Sequence, residues 1–497
     1  MDYLFFRCRE LEPLERELLH HHEPTHLRLH HRPAKPHRSS NHRKLPNEGL
    51  KRMSFGHEHN EGASGHGDHY GPRPMPATLA APEIVSVWRK RALIVFVVAA
   101  ILTVPFAFTH EGKNHILRAY LMGYMTCFGF AGGGLAMLML QYVSGGKWGL
   151  LLRRPLEAMS RTLWLVGLMF VPVLFLLKHL YQWAKFPTAA TTAQALENHW
   201  ISLEQALTAN AKRSMLNPAS AIVQTVIIFA ILLMFTFFLN KWSLQRDRDP
   251  RAGTQGSFDY WRIKTENLSG IGILIYVILL TDAAILWIKS LDVTWYSSIY
   301  GLQFLVGQGY SVLALGILTV ILLSRWEPMK TMLRATEQHD LGKLAFAFVM
   351  LNIYLCFAEF LIIWSGNIPD EIPWYLNRIH GGWWYVCSAD VICHWLIPFV
   401  LLLSRDLKRN KKKMIWLTCF MILARCIDMF WLIEPNFADA AGNLHIVGNV
   451  GILAYITVPA AVISLWGWFY LKELQARPLI NVNDPHVEEM LEPEHAH

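Results

Sequence analysis

The feature that most limits what this chain can fold into is a succession of apolar runs, each about 20 residues long, separated by polar stretches. At 1.5 Å of rise per helical residue, each run is long enough to cross roughly 30 Å of hydrocarbon. Ten are legible, at about 91–108, 117–142, 160–182, 219–240, 267–288, 297–323, 341–364, 383–403, 414–433 and 447–470. They are apolar all round, which excludes the one-faced helices of a soluble globule. Composition agrees: 53% of the 497 residues are hydrophobic, 17% are charged and 19 are tryptophan. The expected fold is all-α, a polytopic membrane protein with ten transmembrane helices.

Charge in the connections sets the expected orientation, because lysine and arginine are retained on the cytoplasmic side. Alternate loops are rich in them: Lys147, Arg153 and Arg154; then Lys241, Arg246, Arg248, Arg251, Arg262 and Lys264; then Arg325, Lys330 and Arg334; then Arg405, Lys408, Arg409 and Lys411 to Lys413. The intervening loops, such as "SGNIPDEIPWY" and "EPNFADAAGN", are acidic or neutral. Both termini are therefore expected in the cytoplasm. Those loops and the basic tail account for the net charge of +8 without a nucleic-acid partner.

Residues 1–85 read as a disordered cytoplasmic tail, with twelve of the 23 histidines in the first 80 residues and no lasting hydrophobic period. "HHHEPTHLRLHH" (His20 to His31) offers loose transition-metal affinity but no defined ligand spacing. "MDYLFFRCREL" is too short and too charged for a secretory signal, and Met53 is an alternative start. Residues 86–475 form the helical domain and 476–497 a short cytoplasmic tail. The seven cysteines show no C-x-x-C pair, so no iron–sulfur, covalent haem or structural zinc motif is present. Gly129 and Gly133 stand one turn apart, the small-xxx-small spacing that lets membrane helices approach closely. "ALENHWISLEQAL" (Ala195 to Leu207), within the long 184–217 connection, has an amphipathic pattern suited to the outer interface or to capping a neighbouring subunit.

A charged side chain inside a bilayer costs about 2.5 to 3.5 kcal/mol on insertion scales, so the few present are expected to face the protein interior. The seventh helix carries Glu359, the eighth carries Asp390 and, one turn later, His394, and the ninth carries Arg425 and Asp428. Counting residues from the helix ends puts all five in the outer half or at the midplane, where mutual pairing offsets desolvation. A sparser group comprises His179 on the third helix and Asp282 on the fifth, with Tyr120 and Tyr124 on the second. The bland reading is an ion pair that locks helices together, with His394 a satisfied core histidine. A haem b site is disfavoured, since His394 has no imidazole partner at matching depth. The functional reading rests on the excess of carboxylates over the one arginine. At least one acid is left without a cation and is a candidate proton carrier.

Three long stretches carry a family resemblance: "HDLGKLAFAFVMLNIYLCFAEFLIIWSGNIPDEIPWYLNR" (His339 to Arg378), "GGKWGLLLRRPLEAMSRT" (Gly145 to Thr162) and "SLDVTWYSSIYGLQFLVGQ" (Ser290 to Gln308). The chain resembles, from about residue 88 to 475, the membrane subunits of the bacterial alternative complex III, of the NrfD or polysulfide-reductase type. The resemblance implies two four-helix bundles, helices 2–5 and 6–9, with the first and tenth helices peripheral. It implies a subunit of a respiratory quinol:cytochrome c oxidoreductase in the bacterial inner membrane, without a redox centre or covalent cofactor of its own. The partners implied are a sister membrane subunit, an iron–sulfur subunit and multihaem cytochrome c subunits that hold the clusters and haems. Glu359, Asp390, His394, Arg425 and Asp428 are then candidates for a proton relay or the wall of a quinone pocket, with His179 and Asp282 their counterparts in the other bundle. Two rival classes remain open: a secondary transporter using the same acids, and a structural anchor for peripheral electron carriers.

Overall fold

A computed structural model describes residues 74–108, 110–369, 371–380, 382–437 and 453–492. The His-rich segment, its expected disorder and its metal affinity lie outside the described residues. Ten helices are long and apolar enough to cross a bilayer: α1 Ile84–Phe108, α2 Gly112–Ser144, α3 Trp148–Phe175, α4 Pro218–Asp247, α5 Gln255–Leu291, α6 Tyr300–Leu323, α7 Ala335–Gly366, α8 Trp383–Leu403, α9 Lys411–Phe437 and α10 Ala454–Gln475. The described residues contain no strand. This matches the physics of hydrocarbon, in which a helix satisfies its backbone within one segment.

The helices form the two expected bundles. α2 packs on α3 and α5, and α4 on α3 and α5; α6 packs on α7 and α9, and α8 on α7 and α9. The bundles meet where α2 and α5 cross α6, and α1 lies outside against α10. Within its most apolar window α1 is only 11% buried, against 94% for α2, so α1 faces lipid and α2 is the central post. The α2–α6 crossing is close because of Gly133: a Cβ there would lie 2.8 Å from Val312 Cγ2 and 3.2 Å from the Gln308 carbonyl oxygen. Gly129 is less constrained, its Cβ position lying 3.9 Å from Gln308. The small-xxx-small spacing therefore marks a real crossing, with one of its two glycines obligatory.

Two helices, α3 and α5, begin twelve residues before the sequence expectation, α5 at Gln255 in place of about 267. α3 begins at Trp148 and ends at Phe175. Its first half holds Arg153, Arg154, Glu157 and Arg161, which depress mean hydropathy yet are sheltered by ion pairing. Arg154 pairs with Glu157 at 2.6 Å and also with Asp247; Arg153 reaches Asp484 at 2.7 Å; Arg246 reaches the same carboxylate at 3.0 Å. Arg153, Arg154 and Arg246 are thus interior residues, not loop charges. Asp484 belongs to the segment after α10, whose Leu479, Ile480, Asn481, Asn483, Val487 and Met490 are buried. That segment is bound to the loop ends through Lys147–Glu489, Arg334 to the Glu492 carbonyl, and the Gly253 N–H to Asn483. It defines one end of the molecule, here called the basic end.

At the far end, the 184–217 connection contains two nine-residue helices, Ala189–Glu197 and Leu203–Ala211, each opened by a capping box. They pack on each other through Ala195, Ile201 and Ala206 and leave Trp200, Leu203 and Leu207 exposed.

Candidate functional site

The site lies in the second bundle, towards the far end, between α6, α7, α8 and α9. A cavity of about 380 Å³ is lined mainly by apolar side chains, with Glu359, Asp390, Arg425 and Asp428 on its wall. Its roof is the turn Pro373–Leu376, where Trp374 stacks on Trp295 with ring centroids 4.2 Å apart. Phe357 and Val391 line it and are also exposed on the outer surface of the bundle, so the cavity opens sideways between α7 and α8. The opening fits the packing: α7 lies mainly against the Ile397–Leu403 half of α8 and the Arg405–Arg409 turn and only lightly against Val391–Leu396, while the first half of α8 packs on α9.

Each polar group is held in its own way. Glu359, on α7, accepts from Gln303 Nε2 at 2.7 Å, from the Ser297 hydroxyl, and from the Tyr375 hydroxyl at 3.5 Å. Its partners are thus neutral donors from α6, the 291–300 connection and the roof, not Arg425. Arg425 instead pairs with Asp428 one turn along α9 and packs over the Phe304 ring. The arginine reaches this place because position 307 on α6 is glycine: a Cβ there would lie 2.5 Å from Arg425 Nη1.

Asp390 and His394 come from α8, which passes through a π-helical stretch at Val391–Leu396. Pro398 lacks an N–H, so the His394 carbonyl four residues earlier loses its helical donor. The Tyr310 hydroxyl takes that place at 3.3 Å, with its ring against the imidazole at 4.5 Å between centroids. His394 Nδ1 lies 3.9 Å from Asp390 Oδ1, beyond hydrogen-bond range. Both imidazole nitrogens and Asp390 Oδ1 are buried without a hydrogen-bond partner. Asp390, His394 and Asp428 each offer a ligand atom, and those atoms lie within 4.8 Å of one another.

Above the roof, Arg378 is buried and faces no carboxylate at ion-pair distance among the described residues. It donates to the carbonyls of Trp374 and Leu432 and to Asn436, and stacks on Trp374 with 3.6 Å to the ring centroid. Burial pulls its value down to about 9, which leaves it charged at neutral pH. It ties the roof to the end of α9.

The structure therefore brings Glu359, Asp390, Arg425 and Asp428 around one cavity, with His394 buried beside Asp390 and not on the cavity lining, and it does not do so for the other pair. His179 is exposed in the turn Leu177–Leu180, and Asp282 is half-buried on α5. No hydrogen bond or ion pair joins them among the described residues. The core of that bundle is filled by rings: Trp287 packs against Tyr124, Phe128, Phe170 and Phe229, with centroids 4.7 to 6.2 Å away.

Sequence reasoning missed Ser297, Gln303 and Tyr375, which orient Glu359, and Tyr310, which holds His394. Gln303 and Tyr310 carried a weak signal as polar groups inside an apolar run; Ser297 and Tyr375 sit in connections and carried none. It also missed a second buried cluster, in which Glu434 accepts from Arg118 at 3.0 Å and from Tyr455, whose hydroxyl is 3.0 Å from His115 Nδ1. These lie at the ends of α2, α9 and α10, where polar residues raise no flag. No family model matches the chain, and no curated protein matches it.

Proposed function

We propose that the chain is a quinone-binding, proton-accepting membrane subunit of a quinol-oxidising respiratory complex, of the kind that the resemblance to the ActF subunit of alternative complex III implies. The observation that carries this reading is the shape of the cavity. It opens towards the lipid face between α7 and α8, is walled mainly by apolar and aromatic side chains, and ends on carboxylates and an arginine. Its 380 Å³ falls in the range of small-molecule sites, about 300 to 1,000 Å³. That combination suits an apolar ligand that arrives through the bilayer and carries a polar, proton-releasing head.

Quinol oxidation yields a quinone, two protons and two electrons. The electrons require an iron–sulfur or haem centre on a partner subunit; this chain's part is the protons and the positioning. Glu359 is the proton acceptor in this reading, because it lines the cavity and its three neutral donors fix its orientation. Ser297, half-buried, gives it a hydroxyl contact towards the far end. Arg425 and Asp428 form the charged wall that orients the head. In this reading the basic end faces the cytoplasm and the cavity lies in the outer half of the bacterial inner membrane, an orientation supported by the exposed Arg248, Arg251, Arg262, Arg405, Arg409 and Lys411 to Lys413 at that end.

The test is Glu359→Gln in the assembled complex. A positioned acid or base contributes about 10²- to 10⁴-fold, so quinol-oxidising turnover should fall by that order while quinone analogues still quench tryptophan fluorescence from the cavity. Unchanged turnover with no quinone-dependent quenching overturns the reading in favour of an anchor. Quinone-independent solute uptake by the chain alone in vesicles would favour a transporter.

A further inference from the structure

We propose that Asp390, His394 and Asp428 form a binding site for a divalent transition-metal cation of the zinc class, with a fourth ligand supplied from the cavity. The three ligand atoms lie within 4.8 Å of one another, and the residues are 3%, 1% and 7% exposed. A tetrahedral zinc site, with metal–ligand distances near 2.0 to 2.2 Å, needs ligand atoms about 3.3 Å apart, so closure asks for shifts of roughly 1 to 1.5 Å. Side-chain rotation supplies shifts of that size.

Three further features point to a cation. Two carboxylates face a single guanidinium, Arg425, which is committed to Asp428, so Asp390 has no arginine or lysine partner at ion-pair distance among the described residues. Asp390 Oδ1 and both nitrogens of His394 are buried without partners, and an orphaned buried polar group costs about 1 to 3 kcal/mol. A metal bound through one nitrogen and that oxygen removes two of these three deficits. The π-helical stretch, Pro398 and Tyr310 hold the imidazole in place through the His394 carbonyl and ring, leaving its nitrogens unengaged. One imidazole with two carboxylates suits zinc, and the imidazole disfavours magnesium and calcium, which prefer oxygen alone. A cation here occupies the polar end of the cavity and competes with any head group for Asp428.

The site goes beyond the quinone reading and does not require it, so zinc binding and quinone binding can each fail alone. The test is calorimetric titration of Zn²⁺ into the full chain in lipid nanodiscs, as the native protein, His394→Gln and Asp390→Asn. The His-rich N-terminal segment is identical in all three and cancels in the comparison. The native chain should bind one more equivalent of zinc than either variant, or bind that equivalent on the order of tenfold or more tightly. Cobalt substitution should give visible absorption bands in the native chain that His394→Gln diminishes. Equal stoichiometry and affinity in all three chains overturns the site. Should His394→Gln fail to fold, Asp390→Asn, which preserves size and shape, carries the same comparison.

Discussion

Glu359 illustrates how a single carboxylate is made tolerable in an apolar helix. It has no cation at ion-pair distance; instead Ser297, Gln303 and Tyr375 donate to it, and each such bond to a charged group contributes about 1.5 to 3 kcal/mol. Arg425 is solved differently, by removing a side chain opposite. Gly307→Leu should therefore push the guanidinium out of its place, breaking the Arg425–Asp428 pair and leaving a buried charge, at a cost of about 3 to 5 kcal/mol. The measurement is thermal unfolding in detergent, with Gly307→Ala as a milder companion; equal melting temperatures for all three would show that Arg425 does not depend on this glycine. The identity of the five ionisable residues was legible in the sequence because charge in hydrocarbon is costly enough to make such residues rare. Their pairing was not, since counting residues along a helix gives depth and leaves the direction around the axis open. That is why His179 and Asp282, chosen by the same depth argument, turn out apart, and why Glu359 turns out to ignore Arg425.

At the scale of elements, the segment after α10 shows the opposite failure of hydropathy. Residues 476–497, of which 476–492 are described, read as a tail, and the first half of α3 as a loop, because both are polar. The structure buries them against each other: Asp484 takes Arg153 and Arg246, and Glu157 takes Arg154 and Arg477. Burial alone raises the Asp484 carboxyl, but Arg153, with Arg246 and the bond to His486, overrides it and holds it well below the usual carboxylate range. A carboxyl depressed in the folded state stabilises fully above its ordinary value of about 3.9, and loses that contribution only as pH falls through the lower folded value. The segment should thus stay docked from pH 8 down to about pH 4. Asp484→Asn should release it throughout that window. Hydrogen exchange of residues 479–491 across pH 4 to 8 measures this; a steady loss of protection between pH 8 and 5 in the native chain would contradict the assignment. α8 makes a related point, since Pro398 was visible in the sequence but the π-helical stretch before it, and Tyr310 as the substitute donor, depend on α6 lying opposite.

For the whole molecule, ten apolar runs fixed the number of helices, while which helix touches which is mostly invisible in sequence, because lipid and a neighbouring helix are equally apolar. Glycine is the exception, and Gly133 is where the two bundles are joined. The bundles are unequal: the second holds a cavity and the charges, and the core of the first is closed by Trp287 and its ring of aromatics. Since the cavity is built from α6 to α9 and the roof, its integrity and the seam between bundles are separable. Gly133→Leu places atoms where Val312 Cγ2 is 2.8 Å and the Gln308 carbonyl 3.2 Å from the first added carbon, and backbone cannot move as a side-chain tip does. Overpacking of this kind costs about 1 to 3 kcal/mol or more. The chain should melt several degrees lower in detergent, yet quinone analogues that do bind should still quench cavity fluorescence at unchanged midpoint, because no residue of the second bundle's interior has been altered. A loss of ligand affinity equal to that of a direct cavity variant would mean that the bundles do not act as separate units and that α2 supports the site as closely as α7 does.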